Sequence, residues 1–296
     1  MPILIPVEYN KKKYPGWISS DIAELPGHFD VEQLEIKGKF SLHTEYAYKK
    51  RSFDSAMLLN LDQIKAAHKN NVPQLWKNRL WAQQFAEFIR NLIQNNNPEV
   101  IEIHPPFEDY CETMTEFVET YTVFENLILS HYPNTKLLIE NRSGTLYRGA
   151  DFLISDCDDL IVLLEVVNKK GLALRLVVDF PQLFTAEGGM RNIDRLKLEN
   201  IFNKLNDIRN QICGFHLWGK KNSSSGRLIS HAGDLNTSFN DDKGLKQFFL
   251  KKLRVLFDDD KPRYFVPEVN SRTEDMISIL NDLKDSGFEF QSNMSF

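Results

Sequence analysis

The sequence predicts a single (β/α)8 barrel, the TIM-barrel architecture, occupying residues 1–296 as one domain. Three observations lead there. Short apolar runs alternate with longer stretches of helical periodicity along almost the whole chain. The expected strand ends at 104, 140, 179 and 216 are spaced by 36, 39 and 37 residues, close to one-eighth of the 296-residue chain. No glycine-rich phosphate loop of the GxGxxG or GxxxxGK type follows a strand, which argues against a doubly wound nucleotide fold.

In chain order, strands are expected at 3–6, 31–36, 40–46, 100–104, 136–140, 173–179, 213–218 and 264–269. Several are continuous apolar runs, as parallel strands buried on both faces require. Helices are expected at 80–93, 113–129, 194–208, 246–257 and 274–283. The first of these gathers Trp81, Phe85, Phe88 and Ile89 on one face. Asn97-Pro98, Pro133-Asn134, Gly171 and the segment 259–262 punctuate the returns to strand. No Pro, Gly or Ser-rich linker divides the chain, and the one loose segment, 220–226, follows a strand.

Composition narrows the function classes. Hydrophobic residues at 42% and aromatics at 11% fill a sizeable core and exclude a disordered chain. Thirty-six Lys and Arg against 41 Asp and Glu leave a net charge of −5, with no basic footprint for nucleic acid. The apolar runs are far shorter than the roughly 18 residues of a membrane helix. Cys111, Cys157 and Cys213 are scattered and lack metal-ligand spacing, which fits a reducing compartment. A cytoplasmic protein without a membrane partner is the expectation.

In a barrel, chemistry sits where the strands end. The residues there are His43, His104, Glu140, Asp179, His216 and Glu268. Asp, Glu and His make up 48 of 296 residues, so six such strand ends exceed chance by a wide margin. A lone carboxylate at an apolar strand end costs several kcal/mol in desolvation unless it is paired or metal-bound. Mixed imidazole and carboxylate donors suit Zn, Mn or Fe better than Ca or Mg. Two divalent transition-metal ions are expected.

With these residues in place, the chain resembles the xylose isomerase-like barrel superfamily over about residues 40–288. That superfamily includes endonuclease IV, sugar isomerases and epimerases, and a family of multinuclear iron oxidases. The quartet Glu140, Asp179, His216 and Glu268 looks like the superfamily's shared metal site. His43 and His104 match the positions that give endonuclease IV and the iron oxidases a further metal. Two departures stand out. Where endonuclease IV has a histidine three residues after the aspartate of strand six, this chain has Gln182. Where it has an Asp-x-His pair, this chain has Ile229 and His231, with Asp234 nearby. His231 is kept as a seventh metal-ligand candidate.

The leading expectation is a metal-dependent phosphoester hydrolase resembling endonuclease IV, with damaged, abasic-site DNA as its substrate. Glu140 and Glu268 are its catalytic carboxylates, and Glu140 bridges the two ions. His43 and His104 serve one ion; Asp179, His216 and Glu268 serve the other. Arg142, Gln182, Trp218 and Lys220 are the substrate-binding candidates, with Lys221 and Arg227 flanking the same loop. The alternative is a sugar or sugar-phosphate isomerase or epimerase, in which Glu140 and Glu268 move the proton. Two further readings are a multinuclear iron oxidase and a non-catalytic metal-binding barrel. His28, His68 and His131 receive no role.

Overall fold

The computed structural model describes residues 1–47, 49–143, 151–189, 192–222 and 228–291. Eight strands form the barrel: β1 (Ile3–Glu8), β2 (Ile22–Gly27), β3 (Lys39–Thr44), β4 (Val100–Ile103), β5 (Lys136–Glu140), β6 (Arg175–Asp179), β7 (Ile212–Leu217) and β8 (Arg263–Pro267). They are hydrogen-bonded in sequence order, and β8 pairs back to β1, so the sheet closes on itself. A short ninth strand, β9 (Glu289–Phe290), runs parallel to β1. The described helices of seven residues or more are α1 (Arg79–Ile93), α2 (Met114–His131), α3 (Cys157–Lys170), α4 (Phe180–Ala186), α5 (Arg195–Ile208), α6 (Lys243–Leu256) and α7 (Thr273–Asp285). None among the described residues is long and apolar enough to cross a membrane.

Two compact units carry these elements: Glu24–Leu176, and Met1–Ala23 together with Val177–Phe296. Within the first, β3 pairs with β4 through Ser41↔Val100, Leu42↔Ile101 and His43↔Glu102. The next pairing aligns Glu102 with Leu138 and Ile103 with Ile139. The four residues of β4 are all buried, and the apolar faces of α1 and α2 meet over an aromatic cluster. Trp76 is its hub, with ring centroids of Trp81, Phe85, Phe117, Tyr121 and Phe124 between 5.3 and 5.8 Å away. Helix starts are capped as their sequences invite. Asn78 accepts from Trp81 N, Thr113 from Glu116 N, and Asp156 forms a reciprocal capping box with Asp159.

Within the second unit, β1 aligns Leu4, Ile5 and Pro6 with Arg263, Tyr264 and Phe265 of β8. β8 in turn sets Val266 beside His216 of β7. Phe180, Phe184, Phe202, Phe215, Phe249 and Phe257 stack or meet edge to face in its core. Gly219 has no room for a side chain: a Cβ there would lie 2.5 Å from the Asp234 carbonyl oxygen.

Two expectations are corrected. Residues 31–36 form no strand; their apolar side chains at 31, 34 and 36 keep neither a strand period nor full burial. The second strand is Ile22–Gly27 instead. Its closing Pro26-Gly27 reads as a turn, yet Gly27 lies in the strand, where a Cβ would stand 3.1 Å from Leu42 Cγ of β3. Residues 157–170, absent from the expected helices, form α3. It is ended by Gly171 in the left-handed region at φ 68°.

Candidate functional site

The register of β3, β4 and β5 builds one cluster directly. His43 and Glu102 are paired partners, so their side chains leave the sheet on the same side. Continuing the β4–β5 alignment by one residue brings His104 level with Glu140. One ligand atom from each of His43, Glu102, His104 and Glu140 lies within 4.8 Å of all the others. Glu102, His104 and Glu140 are buried, and His43 retains slight exposure.

His104 is held from behind and in front. Its Nδ1 lies 3.2 Å from the Glu45 carbonyl oxygen, and its Nε2 lies 2.8 Å from Glu140 Oε2. Its own carbonyl accepts from Trp76 Nε1 at 2.6 Å. Trp76 itself sits at φ 61°, a strained position for a bulky residue that packing and this bond hold in place. Burial pushes His104 down to about 4, with the His43 and Arg142 charges acting the same way against the Glu140 carboxylate. A neutral ring donates to only one of its two facing acceptors.

His43 Nε2 stands 3.6 Å from Glu140 Oε2 and 3.5 Å from Glu102 Oε1. It is buried and has no hydrogen-bond partner among the described residues. Burial opposes its charged form, but the Glu140, Glu24 and Glu102 carboxylates outweigh it and raise His43 to about 10. Glu140 is held well below the usual carboxylate range against burial, by the Arg142 charge first and by the two histidines. These donors therefore gather around a place that favours positive charge. An orphaned imidazole nitrogen and a neutral ring facing a carboxylate are both satisfied by a divalent cation, so the residues fit a metal ion.

A second cluster lies in the other unit. Asp179 closes β6, His216 lies on β7 and Glu268 follows β8; their ligand atoms are within 4.8 Å of one another, and all three residues are buried. His216 Nδ1 is 3.5 Å from Glu268 Oε1. Asp179 has two further duties. Its Oδ1 accepts from Gln182 N at 2.9 Å, capping α4, and its Oδ2 accepts from Trp218 Nε1 at 2.8 Å.

His231 stacks on Trp218 with ring centroids 4.2 Å apart, and its Nδ1 approaches Glu268 Oε2 at 3.4 Å. Asp234, the neighbour of the degenerate position, is occupied structurally. Its carboxylate caps the helix Leu235–Ser238 through Thr237 N and accepts from Asn236 and Ser278.

The substrate-binding candidates divide. Arg142 is buried with Nη1 3.4 Å from Glu140 Oε1, and its Nε has no partner among the described residues. Its guanidinium stands 5.5 Å from the Tyr46 ring centroid. Gln182 is buried in the first turn of α4. Lys220 Nζ donates to Thr185 at 2.6 Å and lies over Trp218; burial lowers its pKa. Lys221 is turned to Asp275 at 2.9 Å, and Arg227 lies outside the described residues.

Two residues escaped the sequence reading. Glu102 was legible in principle, since Val-Ile-Glu-Ile-His places an acid two residues before His104 on the same strand face. His28 was hidden by the misplaced second strand. It directly follows β2, with its ring centroid 6.2 Å from that of His43 and 5.1 Å from that of Tyr46. Burial, then the His43 and Arg51 charges, keep it neutral.

No protein-family model and no curated sequence matches the chain. Among solved structures, it is similar to D-psicose 3-epimerase from Clostridium cellulolyticum H10 (TM-score 0.43, 9% identity, 96% of each chain covered). It is similar also to a GH53 catalytic domain from Ignisphaera aggregans (TM-score 0.38, 10% identity, 77% of this chain and 62% of that one). A third is 2,3-dimethylmalate lyase (TM-score 0.39, 10% identity, 84% and 66%).

Proposed function

We propose that the protein is a metal-dependent phosphoester hydrolase of the xylose isomerase-like kind, with abasic-site DNA as the substrate to test first. The observation that supports it is the presence of two His/carboxylate clusters at strand ends, more donors than one ion needs. His43, His104 and Glu140 would hold one ion and Asp179, His216 and Glu268 the other. Bound divalent ions polarise phosphoryl oxygens and bring the pKa of a coordinated water towards 7.

The chain's own residues supply orientation and charge. The Glu45 carbonyl fixes the His104 ring so that Nε2 faces the cluster. Arg142, fixed against Glu140 and Tyr46, has a buried Nε–H to offer an anionic oxygen. Glu268 is steadied between His216 and His231.

A sugar isomerase is the second reading, in which the buried carboxylates Glu140 and Glu268 move the proton. The buried Gln182 amide, standing where endonuclease IV and many such isomerases have a histidine, weighs against both readings. Protein loaded with Zn or Mn decides between the two. Nicking of abasic duplex DNA, stopped by chelator and weakened by salt, supports the hydrolase. Metal-dependent proton exchange in a ketose without cleavage of any phosphodiester replaces it with the isomerase.

A further inference from the structure

Resting on the reading that the His43 cluster binds metal, we infer that Glu102 is a direct fourth ligand, so that this cluster holds an ion without donors from β6, β7 or β8. The alternative role for a carboxylate beside a metal-binding histidine is to orient the ring, and an orienting partner meets the nitrogen that points away from the metal. His104 shows that arrangement: Nε2 faces Glu140, and the orienting contact, from the Glu45 carbonyl, is at Nδ1. Glu102 stands on the other side of its histidine's chemistry. It meets His43 at Nε2, the same nitrogen that faces Glu140, at 3.5 Å against 3.6 Å. A carboxylate placed there is aimed at whatever Nε2 binds.

The backbone agrees with this placement. His43 and Glu102 are paired residues of parallel strands, and His104 directly follows β4 two residues after Glu102, so all three side chains project to one side of the sheet. Glu102 is 3% exposed. Two imidazoles and two carboxylates make a four-donor set of the kind that closes around Zn, Mn or Fe. The two carboxylates also balance the charge of a divalent ion.

Crystals soaked with Mn2+ and read by anomalous scattering test the inference. An ion at the cluster with a Glu102 oxygen at about 2.0–2.2 Å is the expected result. An ion bound by His43, His104 and Glu140 with Glu102 beyond 3 Å overturns it while leaving the metal reading intact. No ion at this cluster overturns both. In solution, Glu102→Gln should weaken Zn2+ or Mn2+ binding, measured by chelator competition, by more than the roughly 10–100-fold that loss of an orienting partner costs. A variant lacking the other cluster (Asp179→Asn with His216→Ala) should still retain one ion per chain, and loss of all metal from it, with its thermal melt intact, argues against an autonomous four-donor site. If either variant fails to fold, the crystal of the unaltered protein decides.

Discussion

Arg51→Met probes the support beneath His104. Glu45 is fully buried, and its carboxylate accepts from Arg51 Nε at 2.9 and 3.0 Å, from Phe29 N at 2.9 Å and from Tyr46 N at 3.0 Å. Methionine fills much of the space but removes the cation, leaving the carboxylate two main-chain donors. Stranding one member of a buried ion pair costs about 3–5 kcal/mol. Protonation caps that cost. A carboxyl with an ordinary pKa of about 4.3 takes up a proton at pH 7 for about 3.7 kcal/mol, and at pH 5 for about 1 kcal/mol. Burial already raises Glu45 above the usual range, with Arg51 and the two amides pulling it back, so removing Arg51 raises it further. The folded variant then binds the proton more readily than the unfolded chain, and its stability falls as pH rises above the ordinary carboxyl pKa. The deficit against wild type should therefore be about 3–4 kcal/mol at pH 7 and narrow to about 1–2 kcal/mol at pH 5, measured by urea unfolding of metal-free protein. Because the Glu45 carbonyl faces His104 Nδ1, Zn2+ affinity should fall about 10–100-fold as well. A deficit that does not change with pH, or one below about 1 kcal/mol throughout, would refute the reasoning.

Two further outcomes follow from the same geometry. Glu140→Gln keeps the shape but removes the charge facing both histidines and Arg142, so metal content should drop while the metal-free protein still folds, with a lowered thermal melt; unchanged metal content on elemental analysis removes Glu140 from the site. Trp76→Phe retains most of the aromatic packing and loses the donor to the His104 carbonyl, at an expected cost of about 1–3 kcal/mol in urea unfolding, and a neutral result would mean that this hydrogen bond holds nothing in place.

Much of the barrel was readable because its central strands are short apolar runs and most of its helices carry clean 3.6-residue stripes. β2 was not, since Ile-Ala-Glu-Leu-Pro-Gly is mostly half-buried and ends in residues that normally mark a turn. Its glycine answers a neighbour 15 residues away in sequence, Leu42, and no local pattern reports that. α3 has an apolar run that serves strand or helix equally; its Asp156 capping box and Gly171 terminus were the deciding local signals. At the site, the strand-end rule found the six ligand candidates. It passed over Glu102, which lies one layer below the strand end, and over His28, whose strand had been drawn elsewhere.

The double duty of Asp179 alters what its presence in the chain can testify to. One carboxylate caps α4, anchors the Trp218 indole and offers itself to a metal. Selection for folding alone would keep such a residue in a descendant that had abandoned catalysis, because its loss would unseat a helix before it touched any reaction. Counting surviving ligands across such barrels would then overstate surviving enzymes. His43 is the better witness: it caps no helix and anchors no other side chain, and its Nε2 contacts, at 3.5 and 3.6 Å, go only to the carboxylates of its own cluster. In any lineage of this chain, the loss of activity should be recorded at position 43 long before it is recorded at 179.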